Sequence, residues 1–404
     1  MKKGIKILAI TLVLCIALAV SVFAANFEHC ADALFDLGLF RGTNNGYELD
    51  REPMRSEAAA MLVRLLGAEE EAMALPYTAP FGDVADWAKP YVQYLYDKGI
   101  TKGTSETTFG YADKCTAQQY ATFLLRALGY VDGVDFTYDT ALTYGEKIGL
   151  CDWANCFGEV FLRDNVVAMS YTALSMPTKS GDVDLLSKLV SSGAVKDAKG
   201  YDVFFADMRA YTAATETLNT AKKLSMDITV ERGEEKEIAK YAIERNDEDL
   251  QKSVMAYVAP EGEISKYYKD GFLYKELSGN IVRSEASYFE AVKIIGAAVS
   301  RDPISSVRTL EKKSDGDKIT YNAIIRRELL NAASVFGTTV CTSDMTVEVV
   351  LGNGNIISVV TGMEGGIDES IAMKLSYENI KTGDEAEVIL PDDLEKYQKT
   401  TKIQ

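Results

Sequence analysis

The chain has 404 residues and carries 60 acidic against 43 basic side chains, for a formal net charge of -17. That length fits two or more domains of ~100–200 residues each. The excess of carboxylates excludes nucleic acid as an expected partner, because proteins that bind it neutralise phosphates with Lys and Arg.

At the start, Met1, Lys2, Lys3 and Lys6 lead into an apolar run from Ile7 to Val22 that ends near the small residue Ala24. A charged opening, a short apolar core and a small residue at a cut point predict an export signal over residues 1–24. The run is shorter than the ~20 residues that span a bilayer, so removal is expected and no membrane span is expected after it. Leu14, which is not a small residue, precedes Cys15, and this argues against lipidation. Cys30, Cys115, Cys151, Cys156 and Cys341 follow the predicted cut. They are too sparse for a disulfide framework and complete no zinc pattern, so no metal site is expected. Cys151 and Cys156 leave two readings open, a small loop closed by a disulfide or a pair of thiols.

From Ala25 to about Ser180 one grammar recurs three times, as helix, glycine turn, loop and helix, in copies near 25–75, 76–135 and 136–180. In the middle copy Phe81, Asp83 and Val84 precede Trp87, Tyr91, Val92 and Leu95, whose spacing sets an apolar stripe along a helix starting near Ala85. Gly99 to Thr104 end that helix and turn the chain, with glycine supplying left-handed backbone. After a loop carrying Phe109, Thr116 opens a second helix whose predicted buried face is Tyr120, Phe123, Leu124, Ala127 and Leu128, closed by Gly129. The first copy shows Ala31, Leu34 and Phe35, then Gly38 to Thr43, then Met54, Arg55, Ser56 and Glu57 ahead of Met61, Leu62, Leu65, Leu66 and Gly67. The third is worn, with Tyr144 and Ile148, Gly149 and Leu150, Phe161 to Asp164, and a helix through Val166, Val167, Ser170 and Leu174.

These residues carry a resemblance. A Phe-x-Asp-Val stretch with a Trp just after it, a Gly-Ile-x-x-Gly-Thr turn, and a Thr-Arg-Ala-Glu-like tetrad before an Ala/Leu helix ending in Leu-Gly are similar to the S-layer homology domain. The resemblance implies an all-α bundle of three repeats with pseudo-threefold symmetry. It also implies grooves between repeats that bind a secondary cell-wall polysaccharide, often one carrying pyruvate ketals, and hence a secreted protein held at the bacterial cell wall, as in an S-layer. Carried onto this sequence, the family's ligand contacts fall on Trp87, on Gly42-Thr43 and Gly103-Thr104, and on Arg55 and Arg163. The chemistry agrees, since a pyruvate ketal is a carboxylate and Arg presents a planar fork that holds one through paired hydrogen bonds. An indole face stacks on the apolar side of a sugar ring, and a glycine-rich turn exposes backbone N–H groups to oxygen ligands. The overall charge repels an acidic polymer, so any binding must come from local pockets. The copies also depart from the pattern. Ala117 stands at the Arg position of the second tetrad, and the first and third copies lack the Trp, so one or two competent grooves are expected. The opposing reading makes Trp87, Arg55 and the glycines plain packing and capping residues.

Between Met176 and Asp202 the sequence turns small and polar, which predicts a last short helix and then a linker over 181–204. Residues 205–404 read as an α+β domain. A helix from Met208 to Lys223 leads into strands at Leu224–Val230, Lys240–Glu244 and Ser253–Val258, and a hairpin from Lys266 to Tyr274 turning at Asp270-Gly271. Helices are expected at Ser287–Val299 and around Ala323–Phe336, and strands at Asp344–Leu351, Ile356–Thr361, Ser370–Tyr377 and Ala386–Leu390. That order predicts a curved antiparallel sheet wrapped around helices. With its Tyr-x-Asp-Gly-x-x-Tyr element and closing Ile-Leu-Pro391, the layout is similar to the half-barrel of lipoprotein-localisation proteins. The similarity implies a concave face that could shelter an acyl chain, another apolar ligand or an envelope partner. A filled core without a ligand is the other reading.

His29, the sole histidine, follows the predicted cut closely and is poorly placed for a catalytic base, which argues against Ser-His-Asp or Cys-His catalysis. Acidic runs such as Asp247-Glu248-Asp249 and Asp392-Asp393 are too common to single one out, and glycosidase chemistry, which needs two carboxylates, stays open. Nothing resembles a phosphate loop or a dinucleotide fingerprint. No catalytic residue and no cofactor is expected. The leading expectation is a non-catalytic wall-anchored protein, with a wall-anchored glycan hydrolase or a purely architectural envelope protein as alternatives.

Overall fold

The computed structural model describes residues 27–152, 155–156, 160–181, 183–261, 264–277, 280–295, 304–326, 344–363, 373–391 and 394. The predicted export signal and Cys341 lie outside the described residues. The chain divides into two compact units, Met1–Asp197 and Ala198–Gln404. Among the described residues no helix is long and apolar enough to cross a membrane.

The first unit contains α1 (Glu28–Asp36), α2 (Arg55–Leu65), α3 (Glu69–Met73), α4 (Lys89–Asp97), α5 (Ala117–Ala127), α6 (Ala141–Ile148), α7 (Arg163–Leu174) and α8 (Leu185–Ser191). The repeat grammar becomes repeated hydrogen bonding. After each first helix a left-handed glycine, Gly38, Gly99 or Gly149, reverses the chain. The next residue then donates back into the helix, Leu39 to Leu34, Ile100 to Leu95 and Leu150 to Gly145, each at 2.8 Å. Each second helix is capped from its third residue. Glu57 accepts from the Met54 N–H at 2.8 Å, Gln119 from Thr116 at 3.3 Å and Asn165 from Leu162 at 2.7 Å. The apolar stripes then pair the copies in sequence, with α4 on α2, α6 on α5 and α1 on α7, while α2, α5 and α7 touch one another. Phe35, expected on the buried stripe, is instead 53% exposed, because α1 buries Cys30, Ala31, Ala33 and Leu34.

The stretch expected as a linker over 181–204 differs from that expectation. Asp184 caps α8 by accepting from the Ser187 N–H at 2.7 Å, and Leu185, Leu186, Leu189 and Val195 are buried. Gly67 leaves room for this segment, since an added Cβ would lie 2.4 Å from the Ala194 Cβ. Three leucines at helical spacing outweigh the polar composition, so residues up to Asp197 fold with the first unit.

The second unit opens with α9 (Tyr201–Thr220), which begins earlier than expected because the left-handed Gly200 starts it, and which stops before Lys223. An antiparallel sheet follows, made of β1 (Lys223–Arg232), β2 (Glu235–Glu244), β3 (Val254–Val258), β4 (Ser265–Lys269), β5 (Phe272–Leu277), β6 (Asn280–Glu285), β7 (Val307–Asp315), β8 (Lys318–Ile325), β9 (Met345–Gly352), β10 (Asn355–Met363) and β11 (Met373–Thr382). The spatial order is β6-β5-β4-β3-β2-β1-β11-β10-β9-β8-β7, two meanders joined where β1 pairs with β11. Asp270 and Gly271, at φ 48° and 80°, make the expected hairpin turn. One face of the sheet carries Leu224, Met226, Ile228, Tyr241 and Ile243, packed with Met208, Tyr211 and Leu218 of α9 and with Ala291 and Ile295 of α10 (Tyr288–Ile295). The other face carries a smaller cluster of Ala256, Tyr267, Tyr274 and Leu394.

Two expected elements differ. Ala323 to Ile325 end β8 rather than opening a helix, because Ile319, Tyr321, Ala323 and Ile325 alternate toward the core at a period of two; residues 327–336 lie outside the described residues. Among the described residues Ala386–Leu390 pairs with no strand, and it crosses the outer face, held by Ala386, Val388 and Leu390. β7 escaped the sequence reading because it is an edge strand whose charged side chains hide its alternation.

Candidate functional site

The N-terminus of α2 lies on the loop of the second copy. Arg55 and Ser56 donate their backbone N–H groups to the carbonyls of Asp113 (2.8 Å) and Tyr111 (3.4 Å). The Arg55 side chain is thereby carried inward and is only 5% exposed. Its Nε donates to the Phe109 carbonyl at 2.9 Å, and its guanidinium carbon sits 5.0 Å and 4.7 Å from the ring centroids of Phe109 and Phe123. Among the described residues it makes no ion pair, and Asp113 acts on it only through space. Burial pulls its pKa below the ordinary arginine value, yet a guanidinium stays charged in a protein. Burying a cation without an ion pair is costly, and Asp113 offsets part of that cost through space.

The other second-copy residues gather on the same loop. Gly110 has φ +81°, and a Cβ there would lie 3.0 Å from Thr104 Cγ2 and 3.5 Å from Arg55 Cδ. Thr104 donates its N–H to the Thr108 carbonyl at 2.8 Å. Gly103 has φ +76° and no room for a side chain, because a Cβ would lie 2.4 Å from the Phe81 ring and 2.6 Å from the Ser105 and Thr108 carbonyl oxygens. Gly103→Ala is therefore expected to cost about 2 kcal/mol or more, from left-handed strain and overpacking, read as a lower denaturant midpoint for the first unit. Trp87 is 47% exposed and donates from Nε1 to the Tyr111 hydroxyl at 2.9 Å.

Asp83 fixes this loop by accepting the N–H groups of Phe109, Gly110 and Tyr111 at 2.7, 2.8 and 2.9 Å. Burial alone would raise its pKa, but these bonds outweigh it and hold the carboxyl below its ordinary 3.8. A depressed carboxyl stabilises the fold fully above its unfolded-state value and loses that contribution as pH falls through the folded value. Asp83→Asn should flatten the loss of thermal stability on acidification below the ordinary value of 3.8, measured against the parent chain by thermal melts across pH.

Arg163 repeats the arrangement at the first copy's loop. Its N–H donates to the Arg51 carbonyl at 2.9 Å and that of Asp164 to Leu49 at 3.0 Å. Its Nε donates to the Tyr47 carbonyl at 3.1 Å, as Arg55 does to Phe109. Gly42 and Thr43 turn beside it, with Thr43 N–H to the Gly46 carbonyl at 2.7 Å. The electrostatics differ. Where the first groove has Gly110, this one has Glu48, also left-handed at φ 49°. Arg51 grips Glu57 through two bonds of 2.6 and 2.8 Å and Glu48 through one of 3.3 Å, and Glu57 lies 3.9 Å from Arg163. The cation of this groove is already neutralised from within.

In the second unit, residues 385–391 roof part of the outer sheet face. Below them Lys381, Ser225, Ala242, Ala256 and Tyr267 form one row across four neighbouring pairings. The small side chains at Ser225, Ala242 and Ala256 leave a cavity of about 880 Å³, walled by Val258 and Ile389. Asp227 on its floor accepts from Asn379 Nδ2 at 2.6 Å. The opposite face, where the sequence suggested a sheltered concavity, holds α9 and α10 side chains.

Residues 80–114 match the S-layer homology domain. The chain is 32% identical over 113 residues to the Middle cell wall protein of Brevibacillus brevis, a match covering 27% of this chain and 11% of that protein. It is 30% identical over 135 residues to the Surface layer protein of Brevibacillus choshinensis, covering 32% and 12% respectively. The chain thus spans about an eighth or less of the length of these relatives. The crystal structure of the Mycobacterium tuberculosis lipoprotein LppX aligns with 43% of this chain and 94% of its own, at 9% identity and a TM-score of 0.28. The domain and its relatives place the chain at the bacterial cell surface.

The structure therefore sorts the expected S-layer homology contacts into two groups, Arg55 with Trp87, Gly103 and Thr104, and Arg163 with Gly42 and Thr43. At the remaining junction Ala117 supplies no cation. Gln118 donates to the Tyr138 carbonyl, and Tyr120 packs on Phe161 with centroids 6.2 Å apart. Gly110, Tyr111 and Glu48 were not singled out from sequence, and Asp83 entered only as part of the Phe-x-Asp-Val stretch. The signal for the last contrast was present, since Gly110 and Glu48 sit seven residues before Ala117 and seven residues before Arg55 in their own copies.

Proposed function

We propose that the first unit is a pseudo-threefold S-layer homology module that anchors the chain to a secondary cell-wall polysaccharide, and that the groove holding Arg55 is its principal binding site. The buried guanidinium, which makes no ion pair among the described residues, carries this reading. A ketal carboxylate would take the place of the missing anion through charge-assisted bonds, Trp87 would offer its exposed face to the sugar ring, and the Thr104 turn would border it. The groove at Arg163 is secondary, because Glu57 and Glu48 already occupy the role an anion would fill. The ring of helix pairings α4 on α2, α6 on α5 and α1 on α7 supports the threefold arrangement.

The second unit is read as a non-catalytic domain that takes an apolar ligand or an envelope partner, with the cavity beneath residues 385–391 as its candidate seat. Native mass spectrometry of the chain purified from its producing cells checks this part, with a co-purifying lipid or peptide expected and hydrolysis of wall glycan as the contrary result. Anchoring is tested by co-sedimenting the full chain with wall sacculi before and after chemical removal of the secondary polysaccharide. Retention on intact sacculi and release from stripped ones is expected, whereas equal retention on both would refute it.

A further inference from the structure

Resting on the reading of the second unit as a domain that takes an apolar ligand, we infer that its cavity seats a single-chain zwitterionic amphiphile, a lone alkyl tail whose head group carries both an acidic group and an ammonium. The floor has a direction. Lys381, Ser225, Ala242, Ala256 and Tyr267 stand opposite one another on β11, β1, β2, β3 and β4. Their row crosses the strands and, at ~4.8 Å per strand, runs ~19 Å. These side chains share the outer face, because Leu224, Met226, Tyr241 and Ile243 fill the inner one. Taller neighbours flank the row. Asp227, Lys240 and Val258 stand two residues along on one side, and the Lys223–Glu244 ion pair, at 3.4 Å, on the other. The small side chains between them leave a trough one chain wide.

The roof follows the same direction. The Gly383–Glu385 turn meets β1, and Val388 and Leu390 pack with Ala256, Tyr267 and Tyr274 at the far end. Glu385 and Glu387 therefore cover the end that holds Lys381 and Asp227, with Lys240 beside them, while Ile389, Leu390 and Pro391 cover the end that holds Ala256, Val258 and Tyr267. The cavity is thus charged at one end and apolar at the other, as an amphiphile is. Among the described residues Lys240, Lys381, Glu385 and Glu387 make no ion pair. An anionic head group alone would meet Asp227 and the roof glutamates, and a cationic one would meet the lysines. A head group with both signs satisfies each.

Length and backbone chemistry narrow the tail. One acyl chain fills ~15 Å, half of a bilayer's ~30 Å hydrocarbon core, which leaves the rest of the trough for the head group. A peptide fits this floor poorly. β1, β2 and β3 are paired on both sides, so no strand edge there can take up a peptide's N–H and C=O groups. An alkyl chain needs no such partner.

Calorimetric titration of the full chain with dodecylphosphocholine, kept below its micelle concentration, tests this beside dodecanoate, dodecyltrimethylammonium and dodecyl maltoside. These share the tail and carry an anion, a cation and a neutral sugar. The zwitterion should bind about fivefold tighter than each of the others, and exchanging its dodecyl tail for decyl should weaken it about fourfold per methylene removed. Lys381→Gln, at an exposed position, should erase most of the preference for the zwitterion and leave dodecyl maltoside unaffected. Ala242→Leu, which fills the trough, should weaken every probe at least about tenfold. Equal affinity for all four head groups, lost in Ala242→Leu, would overturn the zwitterion and leave the apolar site standing. Binding of none of them, or binding unchanged in a folded Ala242→Leu chain, would overturn the seat itself. Should that variant fail to fold, the ranking of head groups in the parent chain and in Lys381→Gln decides alone.

Discussion

Arg55→Met is expected to cut affinity for the secondary wall polysaccharide at least about tenfold while leaving the first unit as stable as before or slightly more so. The binding loss follows from removing a charge-assisted, two-pronged contact to a carboxylate, worth about 1.5–3 kcal/mol. The stability result follows from the burial of Arg55 between Phe109 and Phe123 without an ion pair. An unbranched apolar side chain fills the same slot and makes favourable contacts with both rings, and it relieves the desolvation of an unpaired cation. The lost bond to the Phe109 carbonyl opposes this by about 1 kcal/mol. A purely structural arginine would give the reverse result, a lower thermal midpoint with binding intact in the surviving fold. Arg55→Lys should recover little affinity, because an ammonium cannot make the planar fork. Arg163→Met should cost less binding than Arg55→Met, since Glu57 and Glu48 already meet the positive charge there. Titration calorimetry and thermal melts on the same samples separate these outcomes.

Tyr211→Ala should destabilise the second unit by about 3–5 kcal/mol and leave the first unit's transition in place. Tyr211 of α9 is 1% exposed, and its ring meets that of Tyr321 in β8 edge-on, with centroids 6.1 Å apart. Truncation opens a cavity where the helix is seated on the sheet and removes the aromatic pair as well. Differential scanning calorimetry reads the two units in one experiment. A single transition shifted as a whole would contradict the division at Asp197 and Ala198.

Much of the first unit was legible because its signals are local. A helical stripe, a glycine after it and a capping residue at a fixed offset identify each copy, and the same offsets reappear as hydrogen bonds. What stayed hidden depends on partners far along the chain. Arg55 and Arg163 look alike in sequence, and their difference arises only where each tetrad meets another copy's loop, at Gly110 in one case and at Glu48 and Arg51 in the other. The second unit shows the same limit. Strands with one clean apolar face, such as β1, were readable, but β7 at the sheet edge has charged side chains on both faces. Ala386–Leu390 has the alternation of a strand and lacks only a partner, which no local pattern can supply.

In the proposed function an acidic sugar substituent completes the charge of Arg55. Titrating the full chain with secondary cell-wall polysaccharide, before and after removal of its pyruvate ketals, tests this most directly. Affinity should fall about tenfold or more on removal for the parent chain and change little for Arg55→Met. Equal affinity of the parent chain for both polymers would contradict it.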